Sequence, residues 1–390
     1  RLPRLRGHSL TEHFPDIGRP DEPAVSVLQA GVVRRRSRLA DGRELFYFDD
    51  PDTTLPDHRA PDLRALGPRP PTATMRHDVL TGEWITFATA RQNRAFMPPA
   101  DQDPLAPQSA TNPSEIPSRY DVAVFENKSP AFAPAVEAGA GAQAGDGDPL
   151  FRERPAAGRC EVVCFSPEHE GSFASLSPTR ARTVIEAWAD RTTALSQIPS
   201  VEQVFIFENR GAEIGVTLPH PHGQIYSYPF ITPRTRSLMT ALEREGPDLF
   251  ERVIDAERRG PRVVLETEHW VSFVPYAARW PIELHLLPKR HVPDFALASA
   301  AERDDLAVAY LRILKAVDRL YGTPTPYIAA WHQAPVRKSR DTVRLQLQLT
   351  SPRRSADKLK YLAGSEAAMN AWVADVSPEE TARRLRAVID

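Results

Sequence analysis

The residues best suited to chemistry lie in one short segment, where two histidines and a glutamine alternate with other residues. His220, His222 and Gln224 are spaced two apart, and residues at that spacing project to the same face of an extended strand. Pro219 and Pro221 have no backbone N–H to donate to a sheet. We therefore expect this segment at a sheet edge or at the end of a strand, where a ligand can reach its side chains.

This row of side chains is suited to attack on a phosphate group. A neutral imidazole is a nucleophile when its second nitrogen is held by an acceptor, and an amide can then donate to a phosphate oxygen. Gly223 leaves room for a bulky anion to approach the backbone. The alternative is a pair of core or surface histidines in a proline-rich turn, since the chain has 11 histidines. The Gly-Gln that follows the pair favours the catalytic interpretation.

The composition is that of a globular protein with a sizeable core. The 390 residues are 41% hydrophobic and 26% charged, and the formal net charge of −2 argues against a general nucleic-acid binder. No apolar run approaches the roughly 18 residues of a membrane span, and no secretory signal is visible. Cys160 and Cys164 would lie about 13 Å apart in a strand, too far for a disulfide. We expect a reduced, cytoplasmic protein that binds neither membranes nor nucleic acid.

The segment is preceded by elements that could hold it in a sheet. The alternation and β-branched content of residues 120–125, 159–165 and 204–207 predict three strands. Ser177 followed by Pro178 predicts the start of a helix between the second and third of these. The order strand, helix, strand and loop then places the histidine segment on the next strand.

The second half of the chain repeats this rhythm. Ser299 and Glu302 form the capping box of a second helix, and residues 343–349 alternate cleanly between apolar and polar residues. That strand takes the place of the histidine segment, but it carries Gln346 and Gln348 instead of histidines. We therefore predict an α+β fold in which two related halves share a mainly antiparallel sheet flanked by helices.

Three segments are predicted along the chain. Residues 1–37 are basic with weak periodicity, so we expect a poorly ordered extension rather than a binding arm. Residues 38–240 form the first half, with a short edge strand at residues 43–48, and residues 241–390 form the second. The Ala/Gly tract of residues 138–147 is predicted to be flexible. The 38 prolines cluster in connections, which predicts irregular segments lying over the sheet.

The central segment belongs to a longer set of motifs. Phe-Glu-Asn-Arg-Gly at residues 207–211, Gly215 and His-Pro-His-Gly-Gln at residues 220–224 occur in this order. Together they resemble the galactose-1-phosphate uridylyltransferase family, the transferase branch of the histidine-triad superfamily. The resemblance extends from about Leu39 to the C-terminus and implies two histidine-triad-like halves. Further matches are Cys-Phe-Ser-Pro-Glu-His at 164–169, Glu-Thr-Glu-His-Trp at 266–270, Val-Pro-Tyr at 274–276, Trp-Pro at 280–281, Leu-Pro-Lys at 287–289 and Trp-His-Gln-Ala-Pro at 331–335.

The resemblance implies a ping-pong reaction. A histidine attacks the α-phosphorus of UDP-glucose, glucose 1-phosphate leaves, and galactose 1-phosphate then takes the uridylyl group to give UDP-galactose. By this resemblance His222 is the nucleophile, and the His220 carbonyl holds the other nitrogen of its ring. Gln224 stands where the hydrolase branches have a third histidine. Because an amide only donates a hydrogen bond here, we expect transfer to be favoured over hydrolysis.

The resemblance also implies residues that bind the substrates. Lys360 and Glu366 are implied to contact the hexose by reaching the site of a partner subunit, which implies a homodimer. Guanidinium groups suit a bidentate grip on phosphate oxygens. Taken alone, the arginines could equally form exposed salt bridges, and Lys360 could be a surface lysine. The residues implied near the nucleotide and its phosphates are Arg91, Arg94, Asn127, Asn209, Arg210 and Thr217, the last in place of a serine.

The chain departs from the family at its zinc site. Many members hold zinc with a Cys-x-x-Cys pair and two histidines, and the matching residues here are Asp103, Ala106, His169 and His220. Structural zinc needs four good ligands, of which thiolates supply much of the affinity. We therefore expect weak or absent zinc at His169 and His220, and no required cofactor.

A second metal site, present in some members, has lost more of its ligands. Only His332 is retained, while Gln346, Gln348 and Leu238 occupy the other ligand positions. We expect this site to hold no metal. Two other functions stay open: a nucleotide-sugar phosphorylase of the same superfamily, which would accept inorganic phosphate, and a non-catalytic nucleotide-sugar binder. The intact histidine segment disfavours the second.

Overall fold

The computed structural model describes residues 23–93, 97–134, 143–144 and 147–390. Arg94, which we expect near the phosphates, lies outside these residues. So do residues 1–22 of the predicted extension and most of the Ala/Gly tract.

The described part of the chain alternates strands with six helices. The strands are β1 (Val25–Val27), β2 (Val33–Arg38), β3 (Glu44–Asp49), β4 (Thr74–His77), β5 (Trp84–Phe87), β6 (Val122–Glu126), β7 (Gln143–Ala144), β8 (Arg152–Pro155), β9 (Arg159–Cys164), β10 (Gln203–Arg210), β11 (His222–Tyr228), β12 (Val263–Glu266), β13 (Trp270–Phe273), β14 (Ile282–Pro288), β15 (Tyr327–His332), β16 (Gln346–Ser351), β17 (Arg353–Ser355) and β18 (Lys358–Leu359). The helices are α1 (Pro178–Ser196), α2 (Pro233–Glu245), α3 (Leu249–Arg258), α4 (Ala300–Arg319), α5 (Gly364–Met369) and α6 (Pro378–Arg386).

Twelve strands form one sheet in the order β1-β2-β3-β6-β9-β11-β10-β15-β16-β14-β13-β12. Every neighbouring pair in it is antiparallel. Strands β10 and β15 meet at the centre, where Ile206 lies opposite Trp331. On the two sides of this pair, the order β10-β11-β9 is mirrored by β15-β16-β14. The predicted α+β fold, with two related halves sharing an antiparallel sheet, is confirmed.

The largest hydrophobic core lies between one face of this sheet and helices α1 and α4. Both helices begin where the sequence predicts: Ser177 and Ser299 each accept a hydrogen bond from the backbone N–H three residues later. Trp188 of α1 and Tyr310 of α4 pack against Trp331 of β15, with ring centroids 5.9 and 5.5 Å apart. Because the helices cover this face, a ligand can reach the central strands only from the opposite face, which we call the open face.

Strands β1 and β2 correct the prediction of a poorly ordered extension through residue 37. The arginines of β2 form ion pairs across to β3: Arg35 with Asp49 and Arg36 with Glu44, both at 2.7 Å. Strand β3 is not the predicted edge strand, because it lies between β2 and β6 with all of its residues buried. The prediction was wrong because the acidic partners that neutralise these arginines lie on another strand and not in the basic segment itself.

A smaller sheet, in the order β5-β4-β8-β7, covers one end of the open face. Met75 of β4 clusters with Phe132 and Cys160, and Tyr226 of β11 packs against this cluster. Cys160 and Cys164 are both free and buried, as their spacing predicts. Within the described residues, no helix combines the length and apolar character needed to cross a membrane.

Candidate active site

A cavity of about 200 Å³ opens where β11 begins. Its walls come from the end of β10, from the loop that joins β10 to β11, and from two segments that precede α1 in the chain. His222, Asn209 and the backbone at Gly211 are among the lining residues, together with the apolar side chains of Met97 and Leu218. The cavity therefore joins polar groups from both central strands of the first half.

His222 is the first residue of β11 and lies half-buried at the cavity wall. Its ring Nδ1 lies 2.7 Å from the His220 carbonyl oxygen, as the resemblance implies. A carbonyl only accepts, so Nδ1 carries the proton and Nε2 keeps its lone pair. Burial lowers the pKa of His222, and the nearby His220 ring lowers it further, while the hydrogen bond to the carbonyl opposes this. The ring is therefore neutral near pH 7, which is the state that a nucleophile requires.

Gln224 follows His222 on the same side of β11. The strand pairs Gln224 with Val162 on β9 and with Phe207 on β10. Extending the β10 register by two residues puts Asn209 beside His222, and both residues line the cavity. The alternation of strand residues thus places Gln224 and Asn209 on the open face with His222.

Gly223 has a different role from the one expected. A Cβ atom at this position would come within 2.8 Å of Phe165 Cζ and 3.0 Å of the Phe207 carbonyl oxygen. Phe165 belongs to the core on the side of β11 that faces the helices, and the Phe207 carbonyl belongs to the neighbouring strand β10. The glycine is therefore required by packing beneath the strand rather than by the approach of an anion.

His220 precedes β11, so its side chain is not required to share a face with His222 and Gln224. Its ring is 1% exposed, with Nδ1 at 2.6 Å from Asp103 Oδ2. On the other side, Nε2 lies 2.7 Å from the Ser166 carbonyl oxygen and 3.1 Å from the Tyr120 hydroxyl. Sequence reasoning missed Tyr120 entirely, because nothing in its local sequence connects it with a histidine 100 residues later.

The expected phosphate and nucleotide residues of the first half lie around the open face. Arg91 is half-buried, and its Nη1 donates to the Tyr226 hydroxyl at 3.2 Å, two residues along β11 from Gln224. Asn127 directly follows β6, and its side-chain Oδ1 accepts from the backbone of Ser129. Thr217 lies in the loop before β11, where its carbonyl accepts from the Met97 N–H at 2.7 Å.

Arg210 lines the cavity, but its guanidinium is engaged elsewhere. Nη1 donates to both carboxylate oxygens of Asp318 on α4, at 2.7 and 2.9 Å. The neighbouring Glu208 was not expected to matter, yet it is 6% exposed and accepts from the Tyr327 hydroxyl at 3.1 Å. Burial raises the pKa of Glu208 to about 8, since the opposing effects of Tyr327 and Arg210 are smaller. Its carboxyl group is therefore mostly protonated at neutral pH.

The structure places Lys360 and Glu366 away from His222 within one chain. Their charged groups lie 3.5 Å apart, and both side chains are buried. Lys360 Nζ also donates to the carbonyls of Arg279 and Val373 and lies 5.7 Å from the ring centroid of Trp372. Lys360 lines a separate cavity of about 190 Å³ and is not among the residues that line the His222 cavity.

The expected zinc histidines do come together, with Asp103 between them. Asp103 Oδ2 lies 2.8 Å from His169 Nδ1 and 2.6 Å from His220 Nδ1. Tetrahedral zinc with bonds of 2.0–2.1 Å separates its ligand atoms by about 3.3 Å, so these are hydrogen bonds at shorter range. Cys164 interacts with Tyr120 nearby, but burial raises the pKa of its thiol and disfavours the thiolate that zinc needs. Two imidazoles and one carboxylate do not fit a structural zinc site.

The second metal position is likewise occupied by groups that do not suit a cation. Arg234 on α2 donates to Gln348 Oε1, and Gln348 Nε2 donates to Gln346 Oε1 at 3.2 Å. Burial lowers the pKa of the remaining His332 to about 3, and the positive charge of Arg234 adds to this. Leu238 packs against a hydrophobic cluster that includes Leu242 and Phe250. A guanidinium thus takes the place where a metal ion would be expected.

Comparison with known proteins matches most of the chain to one family. Residues 69–232 match the model of the galactose-1-phosphate uridyl transferase N-terminal domain, and residues 241–390 match that of the C-terminal domain. The curated galactose-1-phosphate uridylyltransferase of Streptomyces lividans is 46% identical over 375 residues, which cover 92% of this chain and 99% of that protein. The corresponding protein of Thermotoga maritima is 34% identical, with 80% of this chain and 97% of the relative covered.

A solved structure gives the same result. The structure titled "Structure of uridylyltransferase" aligns with a TM-score of 0.72 and 31% identity, covering 81% of this chain and 98% of that one. The fold and these matches define the protein as a transferase. More particularly, the chain belongs to the galactose-1-phosphate uridylyltransferase family.

Proposed function

We propose that the protein transfers a uridylyl group from UDP-glucose to galactose 1-phosphate through a covalent intermediate on His222. The observation that carries the proposal is the hydrogen bond from His222 Nδ1 to the His220 carbonyl, because it leaves Nε2 unprotonated at the cavity wall. The names of the two relatives described above supply galactose 1-phosphate and uridylyl transfer, and the family resemblance supplies UDP-glucose as the donor.

In the first half-reaction, His222 Nε2 donates its lone pair to the α-phosphorus of UDP-glucose. A P–N bond forms, the P–O bond to the β-phosphate breaks, and glucose 1-phosphate leaves with that electron pair. The proton on Nδ1 stays on the ring, where the His220 carbonyl stabilises the positive charge that develops. Asn209 and Gln224 lie on the same face and can donate to phosphate oxygens.

In the second half-reaction, a phosphate oxygen of galactose 1-phosphate attacks the same phosphorus. The P–N bond breaks, its electron pair returns to Nε2, and UDP-galactose is released with the ring neutral again. Water could attack in the same way, but Gln224 has no basic group to take its proton. We propose that this is why the intermediate persists until a sugar phosphate arrives.

The hexose contacts in this proposal require a second subunit. Lys360 lines a cavity separate from that of His222, and Glu366 forms an ion pair with Lys360, so both residues would act on the site of a partner in a homodimer.

The proposal is tested by incubating the protein with UDP-glucose and no acceptor. We expect a mass increase of one uridylyl group per chain, mapped by peptide sequencing to His222, labile in acid and stable in base. His222→Asn should remain unlabelled, while His58→Asn, at an exposed position, should label as the wild type does. Galactose 1-phosphate should then discharge the label as UDP-galactose. Discharge by inorganic phosphate alone would instead identify a phosphorylase, and an absence of label would contradict the proposal.

A further inference from the structure

We propose that Asp103 is a positioning residue whose carboxylate, rather than a metal ion, holds His220 and through it the nucleophile. The inference rests on the proposed function, because the ring that is positioned is that of His222. Asp103 does not reach the cavity where the substrate would bind, and it acts only through His220. A carboxylate therefore takes over the structural role for which the resemblance implies zinc.

The carboxylate of Asp103 is fixed by hydrogen bonds to both of its oxygens. Oδ2 accepts from His169 Nδ1 and His220 Nδ1, and Oδ1 accepts from the Leu105 backbone N–H at 2.9 Å. The residue is 1% exposed, so water does not compete for these bonds. The backbone carbonyl of Asp103 also accepts from Asn112 Nδ2 at 2.8 Å, which ties the segment to the loop that follows. The acceptor is therefore rigid as well as charged.

The far side of the His220 ring is held just as firmly. Nε2 lies 2.7 Å from the Ser166 carbonyl, which can only accept, and 3.1 Å from the Tyr120 hydroxyl. That hydroxyl donates to the Leu105 carbonyl at 2.7 Å. Because each ring nitrogen has a close hydrogen-bonding partner, a cation could reach neither nitrogen without displacing that partner. The ring can neither rotate nor bind a metal without breaking a buried hydrogen bond.

A short, stiff piece of backbone connects the His220 ring with His222. Pro219 and Pro221 flank His220, and each fixes its own φ angle. The Pro221 carbonyl is held in turn by the Phe165 N–H at 3.1 Å. A shift of the His220 ring must therefore move the His220 carbonyl, which lies 2.7 Å from His222 Nδ1. Without that acceptor, the His222 ring would no longer be held in the tautomer that leaves Nε2 free to attack.

The first test removes the charge on Asp103 and keeps its shape. In Asp103→Asn, the single-turnover rate of uridylylation should fall about 10- to 100-fold, a size typical of residues that orient a ligand from behind. The KM for UDP-glucose should stay within about threefold, because the substrate contacts are unchanged. Asp101→Asn is the matched control, since Asp101 lies two residues away and is exposed. Labelling of Asp103→Asn at the wild-type rate would overturn the inference.

A second measurement does not depend on activity. Nitrogen-15 chemical shifts of the histidine rings report the tautomer directly, and wild-type His222 should carry its proton on Nδ1. In Asp103→Asn both tautomers should be populated. Tyr120→Phe removes the hydroxyl from the opposite side of the His220 ring and should give a smaller change in the same direction, which provides a readout if Asp103→Asn fails to fold. An unchanged His222 tautomer in both variants would refute the role of Asp103.

The third test exchanges the carboxylate for a metal. Wild-type protein purified without added metal should hold less than one zinc per chain by elemental analysis and should keep its labelling rate after chelation. The double variant Asp103→Cys/Ala106→Cys should bind about one zinc per chain. Stoichiometric wild-type zinc whose removal abolishes labelling would show that a metal, not Asp103, holds His220. An unlabelled wild type contradicts the proposed function, whereas labelling that Asp103→Asn does not slow contradicts only this inference.

Discussion

The two halves of the sheet place equivalent strands at equivalent positions but present different chemistry on the open face. In the first half, β11 carries His222 and Gln224 beside a cavity. In the second half, β16 carries Gln346 and Gln348, whose amides bond to each other and, in the case of Gln348, to Arg234. One half offers an imidazole ring at the wall of a cavity. The other offers neutral amides whose polar groups are already engaged.

The segments that lead into the two strands account for much of this difference. Before β11, the His220 carbonyl is turned toward the ring of His222 and accepts a hydrogen bond from its Nδ1–H. Before β16, Leu345 is fully buried and donates its N–H to Val292, while Arg344 donates to the carbonyls of Pro288 and Lys289. The shared sheet therefore supplies a position, and the preceding segment determines whether that position becomes reactive.

The largest expected effect breaks the site in the first half only. His222→Asn should lower turnover of UDP-glucose and galactose 1-phosphate by at least about a thousandfold, because no other group replaces the nucleophile. His332→Asn changes the histidine retained at the second metal position and should leave turnover within about threefold. Coupled detection of glucose 1-phosphate measures both variants. Comparable losses in the two would show that the second half takes part in the chemistry.

A smaller effect is expected when Gln224 is replaced by histidine. Gln224→His supplies a group that can accept a proton from water beside the intermediate, so hydrolysis should rise about tenfold relative to transfer. The ratio of free UMP to UDP-galactose, measured at fixed galactose 1-phosphate, reports this partition. A ratio equal to that of the wild type would mean that Gln224 does not control the access of water.

A third difference between the halves is the buried carboxyl group of Glu208, which lies opposite Ala329 in the sheet. Its pKa is about 8 in the folded state against 4.5 for the unfolded chain. The contribution of the neutral carboxyl group to the free energy of unfolding is therefore fully present below pH 4.5 and is lost as pH rises toward 8. Glu208→Gln removes this loss. The free energy of unfolding of Glu208→Gln minus that of the wild type should therefore be larger at pH 8.5 than at pH 5 by at least about 2 kcal/mol.

Urea denaturation at the two pH values measures this change. Glu243→Gln is the control, because Glu243 is exposed on α2 and should show the same pH dependence as the wild type. If Glu208→Gln also follows the wild type, the carboxyl group is ionised in the folded protein and its burial does not govern its protonation.

The smallest effect is expected from restoring a histidine to the second half. Gln348→His should leave turnover within about twofold, and in a His222→Asn background it should not acquire a uridylyl group. The reason is that Arg234, which donates to Gln348, places a positive charge beside the new ring. Intact-mass measurement after incubation with UDP-glucose checks this. A label on the new histidine would show that the strand position alone is sufficient.

Several features of the site could be predicted from local sequence. The spacing of His220, His222 and Gln224 identified the reactive segment, and Pro221 marked the point where a strand could begin. The capping residues of α1 and α4 were predicted for the same reason: the side chain and the backbone group that it satisfies are three residues apart. Interactions over such short ranges depend little on the rest of the fold.

The sequence by itself thus indicated the family, the His222 segment and the strands on either side of α1, because each is encoded by neighbouring residues. Only the tertiary structure decided that Asp103 and Tyr120 hold the ring of His220, from 117 and 100 residues away. It also decided that Arg210 pairs with Asp318, 108 residues later, and that the basic strand β2 is ordered. A charged or polar side chain can be satisfied by any partner that packing brings within about 3 Å, and packing depends on the whole sheet.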